Sequence, residues 1–299
     1  MKGDPYGSPF TALWLFLYEK WIDAGDVLIN DAVPTRSACR VQTGDQLRVR
    51  IAELPKRARP QAQPIDLDIL YEDDDLLAVN KPAGLVVHPS FKNTSGTLLN
   101  GLLALAQSWP EGSKPALVGR LDKLTSGVVL VTKRTEIHAA MQRAMDARRV
   151  DKDYLAIVHG KPSPPRGTID LALDRDPWDR RRITVTDRGG QPSVTRYERL
   201  STSQGYSLVQ CRLITGRTHQ IRVHLAAKHW PIVGDAVYGP RGSGREPGAD
   251  VKVARDFARQ ALHAWRLMFR QPRTGRELTI EAPLPADMTA LAAAIGLPL

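Results

Sequence analysis

The stretch that organises the chain spans ten residues and has the sequence Val118-Gly119-Arg120-Leu121-Asp122-Lys123-Leu124-Thr125-Ser126-Gly127. The apolar run Val128–Val131 follows it directly, which is typical of a buried strand. Asp122 therefore lies between two basic residues, on a turn that a strand holds in place. We expect such a carboxylate to stay ionised and to be catalytic. The alternative is a structural aspartate that caps the turn or pairs on the surface, which is the more common role of a single acid.

A second segment supplies positive charge for this acid. Residues 216–224 form a turn that leads into a helix, and they contain Arg217 and Arg222. An arginine in contact with a partly buried carboxylate favours the ionised form of that carboxylate. We therefore expect this segment to meet Asp122 in the folded chain.

The composition favours a globular protein with an anionic partner. The chain has 299 residues, 42% hydrophobic and 25% charged, with a formal net charge of +10. This excess of positive charge favours nucleic acid as the partner. The two cysteines, Cys39 and Cys211, do not make a disulfide framework, so a reducing cytoplasm is expected. The apolar run at 12–18 is too short to span a bilayer, so no membrane partner is expected. We also expect a monomer.

The first 54 residues are predicted to form a separate module, and residues 55–65 form a proline-containing linker. The module has a helix over Trp14–Ile22, a turn, strand and turn over Gly25–Asp31, and a strand over Gln46–Ile51. This order resembles the S4-like RNA-binding domain, although the first helix is apolar and aromatic instead of basic. The alternative interpretation is a small β-rich cap.

Residues 66–299 are predicted to form the second, larger domain. Apolar runs and alternation predict strands at 76–80, 85–87, 154–158, 206–214, 261–269 and 278–282. Helical spacing of apolar residues predicts helices at 94–109, 135–149, 216–229 and 285–295. A mobile loop is expected at 241–248. Many strands with a few helices between them, without regular alternation, indicate an α+β fold with a mixed sheet.

Several motifs of this domain together resemble the RluA family of pseudouridine synthases. The match begins at the opening stretch and extends, in the family's order, to Asn80–Pro89, Lys152–Ala156, Arg175–Arg182, Gly216–His224, Gly234–Asp235, Tyr238–Gly239 and Leu262–Ala264. Several motifs in the correct order are more specific than any single pattern. Gly119 departs from the family, in which histidine is most common before the arginine. The resemblance implies a pseudouridine synthase fold with a mixed, mainly antiparallel sheet.

The resemblance also implies an isomerase that converts uridine in RNA to pseudouridine without a cofactor. It assigns Asp122 as the catalytic residue, either as a nucleophile or as a base, and Arg222 as the partner that keeps it charged. Tyr154, also assigned as catalytic, would stack on the uracil and could assist deprotonation at its carbon 5. Arg120 would fill the space that the flipped uridine leaves in the RNA stack. Further RNA contacts are implied for Lys81, Arg217, Arg180, Arg181 and Arg182. A solvated loop is the alternative for the last three.

The target is expected to be large-subunit (23S) ribosomal RNA, as in the RluD-like branch of the family, because of the S4-like module. The alternatives are a tRNA pseudouridine synthase and a non-catalytic RNA-binding or ribosome-assembly protein. A glycoside or nucleoside hydrolase fits less well, because that chemistry needs two opposed carboxylates or a metal-held water. No metal site is expected, because His219 and His224 are badly spaced for one helix face and have no evident third ligand.

Overall fold

The computed structural model describes residues 22–34, 39, 41–50, 60–90, 93–179, 182–240 and 252–299. The chain divides into two compact units, residues 1–59 and residues 60–299. In the ranges described, no helix is long and apolar enough to cross a membrane. The helix predicted at 14–22, apart from Ile22, and the loop predicted at 241–248 lie outside the described residues.

The first unit contains an antiparallel pair of short strands, β1 (Val27–Ile29) and β2 (Leu47–Val49). Asn30 follows β1 with a positive φ of 50°, which asparagine tolerates better than most residues. Its Nδ2 donates to Oδ1 of Asp45 at 2.7 Å, and its Oδ1 accepts from the N–H of Gln46 at 2.9 Å. These bonds fix the start of the second strand relative to the end of the first.

The second unit is built on a mixed sheet of ten strands. Its strands are β3 (Ile69–Glu72), β4 (Leu76–Lys81), β5 (Ala116–Leu117), β6 (Ser126–Thr132), β7 (Asp151–His159), β8 (Arg166–Asp170), β11 (Val194–Ser203), β12 (Tyr206–Leu213), β13 (Leu262–Arg270) and β14 (Glu277–Glu281). Along the described sheet the order is β3-β4-β6-β13-β7-β12-β11-β8, with β5 beside β6 and β14 beside β13. The β6–β13 pairing is parallel and the other described pairings are antiparallel. The predicted α+β fold with a mixed, mainly antiparallel sheet is confirmed.

A separate hairpin and five helices complete the described part of this unit. The hairpin pairs β9 (Leu173–Arg175) with β10 (Ile183–Val185). The helices are α1 (Leu98–Leu105), α2 (Thr135–Asp146), α3 (Gln220–Ala227), α4 (Lys252–Arg255) and α5 (Ala286–Ala294). Apolar residues of α2 and α5, such as Ile137 and Leu291, are buried in cores against the sheet. These two helices therefore pack their apolar residues against strands of the sheet.

The predicted short strand at 85–87 is wrong. The segment pairs with no strand, because its carbonyls are used by a helix terminus. The carbonyl of Val86 accepts from the N–H of Leu98 at 2.8 Å, and that of Val87 accepts from the N–H of Leu99 at 3.1 Å. The first N–H groups of a helix have no partner inside the helix. An extended apolar segment provides those partners here and so looks like a strand in the sequence.

Gly127 determines how β6 meets its parallel neighbour. Its φ of +113° is a conformation that L side chains rarely adopt, and a Cβ here would collide with the main-chain carbonyl of Ala264 in β13. Glycine thus allows close approach of the two strands just after the opening stretch. All seven residues of β6 are buried, so the turn that precedes it starts from a rigid base.

Candidate active site

A pocket of about 260 Å³ opens at the centre of the second unit. Its walls are the turn before β6, the start of β7, the segment that leads into α3, and β13. Asp122, Tyr154 and Arg222 lie far apart in sequence, and all three line this pocket. The prediction that residues 216–224 meet Asp122 is confirmed by a direct hydrogen bond between Arg222 and Asp122.

The turn that carries Asp122 is fixed through its main chain. The carbonyl of Lys123 accepts from Nζ of Lys81 at 3.1 Å, and the carbonyl of Leu124 accepts from Nη1 of Arg259 at 3.2 Å. Both donors belong to buried side chains. The Asp122 side chain keeps 22% exposure, so a rigid backbone presents a carboxylate that a substrate can reach.

Lys81 belongs to this scaffold and not to an RNA-binding surface. Its side chain is fully buried, and Nζ donates to the carbonyls of Pro82, Leu85 and Lys123 at 2.8, 3.0 and 3.1 Å. Burial, with a smaller effect from the charge of Arg259, lowers the pKa of Lys81 to about 8. An ammonium has three donors, and all three are used. The prediction that Lys81 contacts phosphate is therefore corrected: Lys81 holds the turn that carries Asp122.

Arg222 connects Asp122 to a second, fully buried carboxylate. Its Nη1 lies 2.9 Å from Oδ2 of Asp122, and its Nε and Nη2 lie 2.7 and 2.9 Å from the two oxygens of Asp235. Burial alone would lower the pKa of Arg222, but the two carboxylates outweigh it and raise that pKa. Burial would raise the pKa of Asp235, and the bonds from Arg222 and two backbone N–H groups hold it below its ordinary value. A permanent cation therefore faces Asp122.

His219, considered from the sequence only in connection with a metal site, lines the pocket beside Asp122. It caps α3 with a left-handed backbone, φ 55°, and such strain in a non-glycine residue is typical of functional sites. Its Nδ1 lies 2.9 Å from the hydroxyl of Tyr238, and its Nε2 lies 3.7 Å from Oδ2 of Asp122. Burial lowers the pKa of His219 despite the opposing charge of Asp122, so the ring is neutral at pH 7.

Tyr154 contributes an aromatic ring to the pocket lining. It lies in β7 between β12 and β13, paired with Cys211 and Ala264, and its half-buried ring lines the pocket. Burial and, to a smaller extent, the charge of Asp122 raise the pKa of Tyr154. The phenol therefore keeps its proton at neutral pH, and the ring offers a flat apolar face with one hydroxyl donor.

The pocket contains an aspartate paired with an arginine, and a tyrosine lines the same pocket. This set of residues agrees with what the sequence motifs imply. A family model described as RNA pseudouridylate synthase matches residues 75–227, just over half of the chain. The chain is 42% identical over 276 residues to an uncharacterized RNA pseudouridine synthase, YlyB, of Bacillus subtilis, with 91% of this chain and 86% of the relative covered. The chain belongs to the RNA pseudouridine synthase family. It is therefore an isomerase that acts on RNA.

Other relatives agree with this assignment. The ribosomal large subunit pseudouridine synthase D of Neisseria meningitidis (serogroup A) is 41% identical to this synthase, with 90% of this chain and 71% of the relative covered. The enzyme of the same name in Xanthomonas campestris is 40% identical, with 92% and 83% covered. Among solved structures, human RNA pseudouridylate synthase domain containing 4 matches 78% of this chain and 94% of its own, at 27% identity and a TM-score of 0.64.

The predicted RNA contacts of the synthase fall into three groups besides Lys81. Arg120 and Arg217 are exposed and line the pocket, where they can reach an RNA strand. Arg182 is half-buried, with its guanidinium 5.5 Å from the ring centre of Tyr238. Arg180 and Arg181 lie outside the described residues, so their RNA contacts stay predictions.

Next to Tyr154 in the sequence, a charge cluster centred on the buried Asp153 holds the start of β7. Asp153 is fully buried, and its two oxygens accept from Nε and Nη2 of Arg212 at 2.7 and 2.8 Å. Arg266 adds a bond of 3.0 Å to Oδ2 of Asp153. The cluster fixes the main chain next to Tyr154. Lys152 belongs to one of the sequence motifs but has no predicted role. It is half-buried in the pocket wall, and burial lowers its pKa.

His224, the other histidine that was considered as a metal ligand, has a structural role. His224 is fully buried, with Nδ1 2.9 Å from Oγ1 of Thr195 and Nε2 3.1 Å from the carbonyl of Leu171. Both ring nitrogens are therefore engaged in bonds that tie α3 to the sheet. No cluster of three potential metal-ligating residues occurs in the part of the synthase that the structure describes.

Proposed function

We propose that this synthase isomerises specific uridines of large-subunit ribosomal RNA to pseudouridine, with Asp122 as the catalytic residue. The observation that carries the proposal is the contact between Arg222 and Asp122, 2.9 Å long, in a pocket that Tyr154 also lines. The ribosomal target is supported by the relatives at about 40% identity that are named for the large subunit.

The target uridine has to leave the RNA stack to enter a pocket of this size, which costs a few kcal/mol. Arg120, exposed at the rim, supports that step because a planar guanidinium stacks well on bases. The ring of Tyr154 then packs against the flipped uracil. Lys152 and Arg217 lie beside the same opening and supply positive charge for the flanking phosphates.

In the reaction, the bond between N1 of uracil and C1′ of ribose breaks and a bond between C5 and C1′ forms. The proton leaves C5 and N1 gains a proton, so the atoms balance without a redox partner. Asp122 either attacks C1′ or removes a ribose proton on the way to a glycal-like intermediate. Both routes develop charge at or near this carboxylate, and the guanidinium of Arg222 lies 2.9 Å from it.

The alternative functions are each less consistent with this pocket. Hydrolysis of a glycoside would need a second carboxylate, and the other acid in the described lining, Asp153, is bound by Arg212 and Arg266. A non-catalytic RNA-binding protein would not need Asp122 held between a buried arginine and a neutral histidine. A tRNA target uses the same chemistry, and only an RNA map separates it from a ribosomal one.

We also propose that the first unit binds RNA as an S4-like module. The paired strands at 27–29 and 47–49 support it through their order in the chain. A cytoplasmic monomer likewise stays a prediction, which cell fractionation and sedimentation would test. Deletion of residues 1–54 is expected to weaken binding to ribosomal RNA while the second unit keeps its pocket.

The deciding experiment maps pseudouridines in total RNA of cells with and without the gene. We expect one or more positions in large-subunit RNA to lose the modification and to regain it when the wild-type gene is returned. The Asp122→Asn variant should restore none of them. Loss confined to tRNA would replace the ribosomal assignment by the tRNA alternative, and no lost position in either RNA would refute the proposal.

A further inference from the structure

The hairpin β9–β10 carries the most exposed large apolar side chain of the described residues. Trp178, in the loop between the two strands, is 94% exposed. A single exposed apolar residue is common on protein surfaces and has no meaning by itself. The shape of the loop and the anchoring of the hairpin give this tryptophan a defined position.

Hydrogen bonds hold the loop in one shape around Trp178. Oδ1 of Asp176 accepts from the N–H groups of Trp178 and Asp179 at 2.9 and 3.1 Å. The N–H of Asp176 donates to the carbonyl of Arg182 at 3.0 Å, and the N–H of Arg182 donates to that of Asp179 at 2.8 Å. The main chain at Trp178 is therefore held by hydrogen bonds, while its indole is exposed to solvent.

Hydrogen bonds through Tyr238 link the hairpin to the site around Asp122. The N–H of Ile183, the first residue of β10, donates to the hydroxyl of Tyr238 at 2.8 Å. That hydroxyl is also 2.9 Å from Nδ1 of His219, whose other nitrogen faces Asp122. Trp178 lies three residues beyond the end of β9, which limits its distance from that strand to about 10 Å. Trp178 is therefore tied by a short segment to a hairpin that is hydrogen-bonded, through Tyr238, to the residue beside Asp122.

The charge around the indole favours RNA as the partner. Residues 175–182 contain four arginines and two aspartates, a net charge of +2 in eight residues. One of the aspartates, Asp176, is occupied by the main chain of the loop, and Arg175 is exposed at the end of β9. Basic residues that track the backbone, combined with an aromatic face for the bases, are the usual means of binding single-stranded nucleic acid.

We propose that Trp178 stacks on an unpaired base of the RNA substrate, close to the target uridine, and so contributes to substrate binding outside the catalytic pocket. The inference rests on the RNA-modifying function above and extends its binding surface. Stacking needs only a flat ring, so it is tolerant of sequence and of replacement by another aromatic residue. It acts on binding and leaves the chemical step unchanged.

The kinetic test compares Trp178→Ala with Trp178→Phe and with Leu200→Ala, an exposed apolar residue on β11 that serves as the control. Pseudouridine formation is measured on a protein-free transcript of bacterial large-subunit ribosomal RNA. For Trp178→Ala we expect KM to rise at least about fivefold, the lower end for loss of one base–aromatic stack, with kcat within about twofold. Trp178→Phe should keep most of the affinity, and Leu200→Ala all of it. An unchanged KM for Trp178→Ala, on a transcript that the wild type modifies, overturns the inference.

A binding test works even if ribosomal RNA is not the substrate. The emission of Trp178 is obtained as the difference between the spectra of the wild type and Trp178→Phe. Titration with single-stranded oligouridine should quench this difference, and a fully paired RNA duplex should quench it less. Emission that oligouridine leaves unchanged overturns the inference. If Trp178→Ala lowers activity on assembled ribosomal particles but not on protein-free RNA, the partner of Trp178 is a protein, and the inference is also overturned.

Discussion

Arg222 contacts Asp122 through one nitrogen and Asp235 through its other two, at 2.9, 2.7 and 2.9 Å. The bidentate pair with Asp235 fixes the plane of the guanidinium, which leaves Nη1 aimed at the carboxylate in the pocket. The orientation of Asp122 therefore depends on a second acid that does not line the pocket. Lysine could not replace this arginine, because a single ammonium lacks the fixed fork.

The first prediction concerns Asp122 itself. Asp122→Asn keeps the shape of the side chain and removes its charge, so neither nucleophilic attack nor proton removal is available. We expect the rate of pseudouridine formation to fall by about 1,000-fold or more, as is common for residues that act on the reacting atoms. The rate is measured as tritium released from RNA labelled at C5 of uridine. RNA affinity, measured by filter binding, should change little, and activity close to the wild type would refute the role of Asp122.

The second prediction concerns Asp235 as a positioning residue. Asp235→Asn breaks a buried pair and leaves Arg222 oriented by Asp122 alone. Loss of one partner of a buried pair typically costs about 3–5 kcal/mol, which urea unfolding would detect. We expect kcat to fall more than KM rises, since the substrate does not touch Asp235. Asp256→Asn, which breaks an exposed pair with Lys252, is the control and should change neither stability nor kcat. Equal behaviour of the two variants would contradict the prediction.

Sequence patterns located several strands, among them β4, β7 and β12, and three residues that share one pocket, because burial and motif order can be read along the chain. They did not predict β3, β8 or β11, and they placed a strand at 85–87 where there is none. The run at 76–80 became β4, and the acid at 122 met the arginine at 222. The patterns could not show how the donors of Lys81 are used. A basic residue beside a turn suggests a phosphate contact, whereas the fold surrounds this lysine with three carbonyls. That outcome depends on loops that come together only in three dimensions.

The roles of Asp235, Tyr238 and His219 were likewise hidden, although motifs contained all three residues. Each acts through another side chain: Asp235 orients Arg222, and Tyr238 binds Nδ1 of His219. Contacts in which one side chain orients another leave no periodic pattern in a sequence. The left-handed backbone of His219 also has no local signal, because glycine or asparagine is the usual residue for that conformation.

The third prediction concerns stability in acid. Burial would raise the pKa of Asp153, but the bonds and charges of Arg212 and Arg266 outweigh it and lower that pKa below its ordinary value. A carboxylate with a lowered folded-state pKa stabilises the fold above its unfolded pKa of about 3.9, and this contribution is lost as the pH falls through the folded value. Asp153→Asn should therefore be less stable at pH 7 and should lose less stability than the wild type between pH 4 and 2. Urea midpoints across this range measure it, and parallel curves for the two proteins would contradict it.

The fourth prediction separates the ring of Tyr154 from its hydroxyl. Tyr154→Phe keeps the flat face, so we expect KM within about threefold of the wild type, while Tyr154→Ala loses a stacking contact worth about 1–3 kcal/mol. The raised pKa of Tyr154 means that its phenol is not ionised near neutral pH. The activity of the wild type should therefore show no ionisation of this group between pH 6 and 9. If Tyr154→Phe binds RNA as weakly as Tyr154→Ala, the ring does not stack on the base.

The last prediction compares Gly127 and Gly119, two glycines of the stretch 118–127 that differ in the space available for a side chain. A Cβ at Gly127 would collide with the carbonyl of Ala264, at a φ that L side chains avoid, whereas a Cβ at Gly119 would meet nothing within 4 Å. Gly127→Ala should force β6 away from β13 and displace the Asp122 turn, with a stability loss of at least about 1–3 kcal/mol from backbone strain alone. Gly119→Ala should unfold at the same urea concentration as the wild type. Gly119→His restores the residue common in the RluA family and has room at the exposed rim beside Arg120, so any change it makes should be in KM for RNA. A loss of stability in Gly119→His that matches Gly127→Ala would show that the rim is not open.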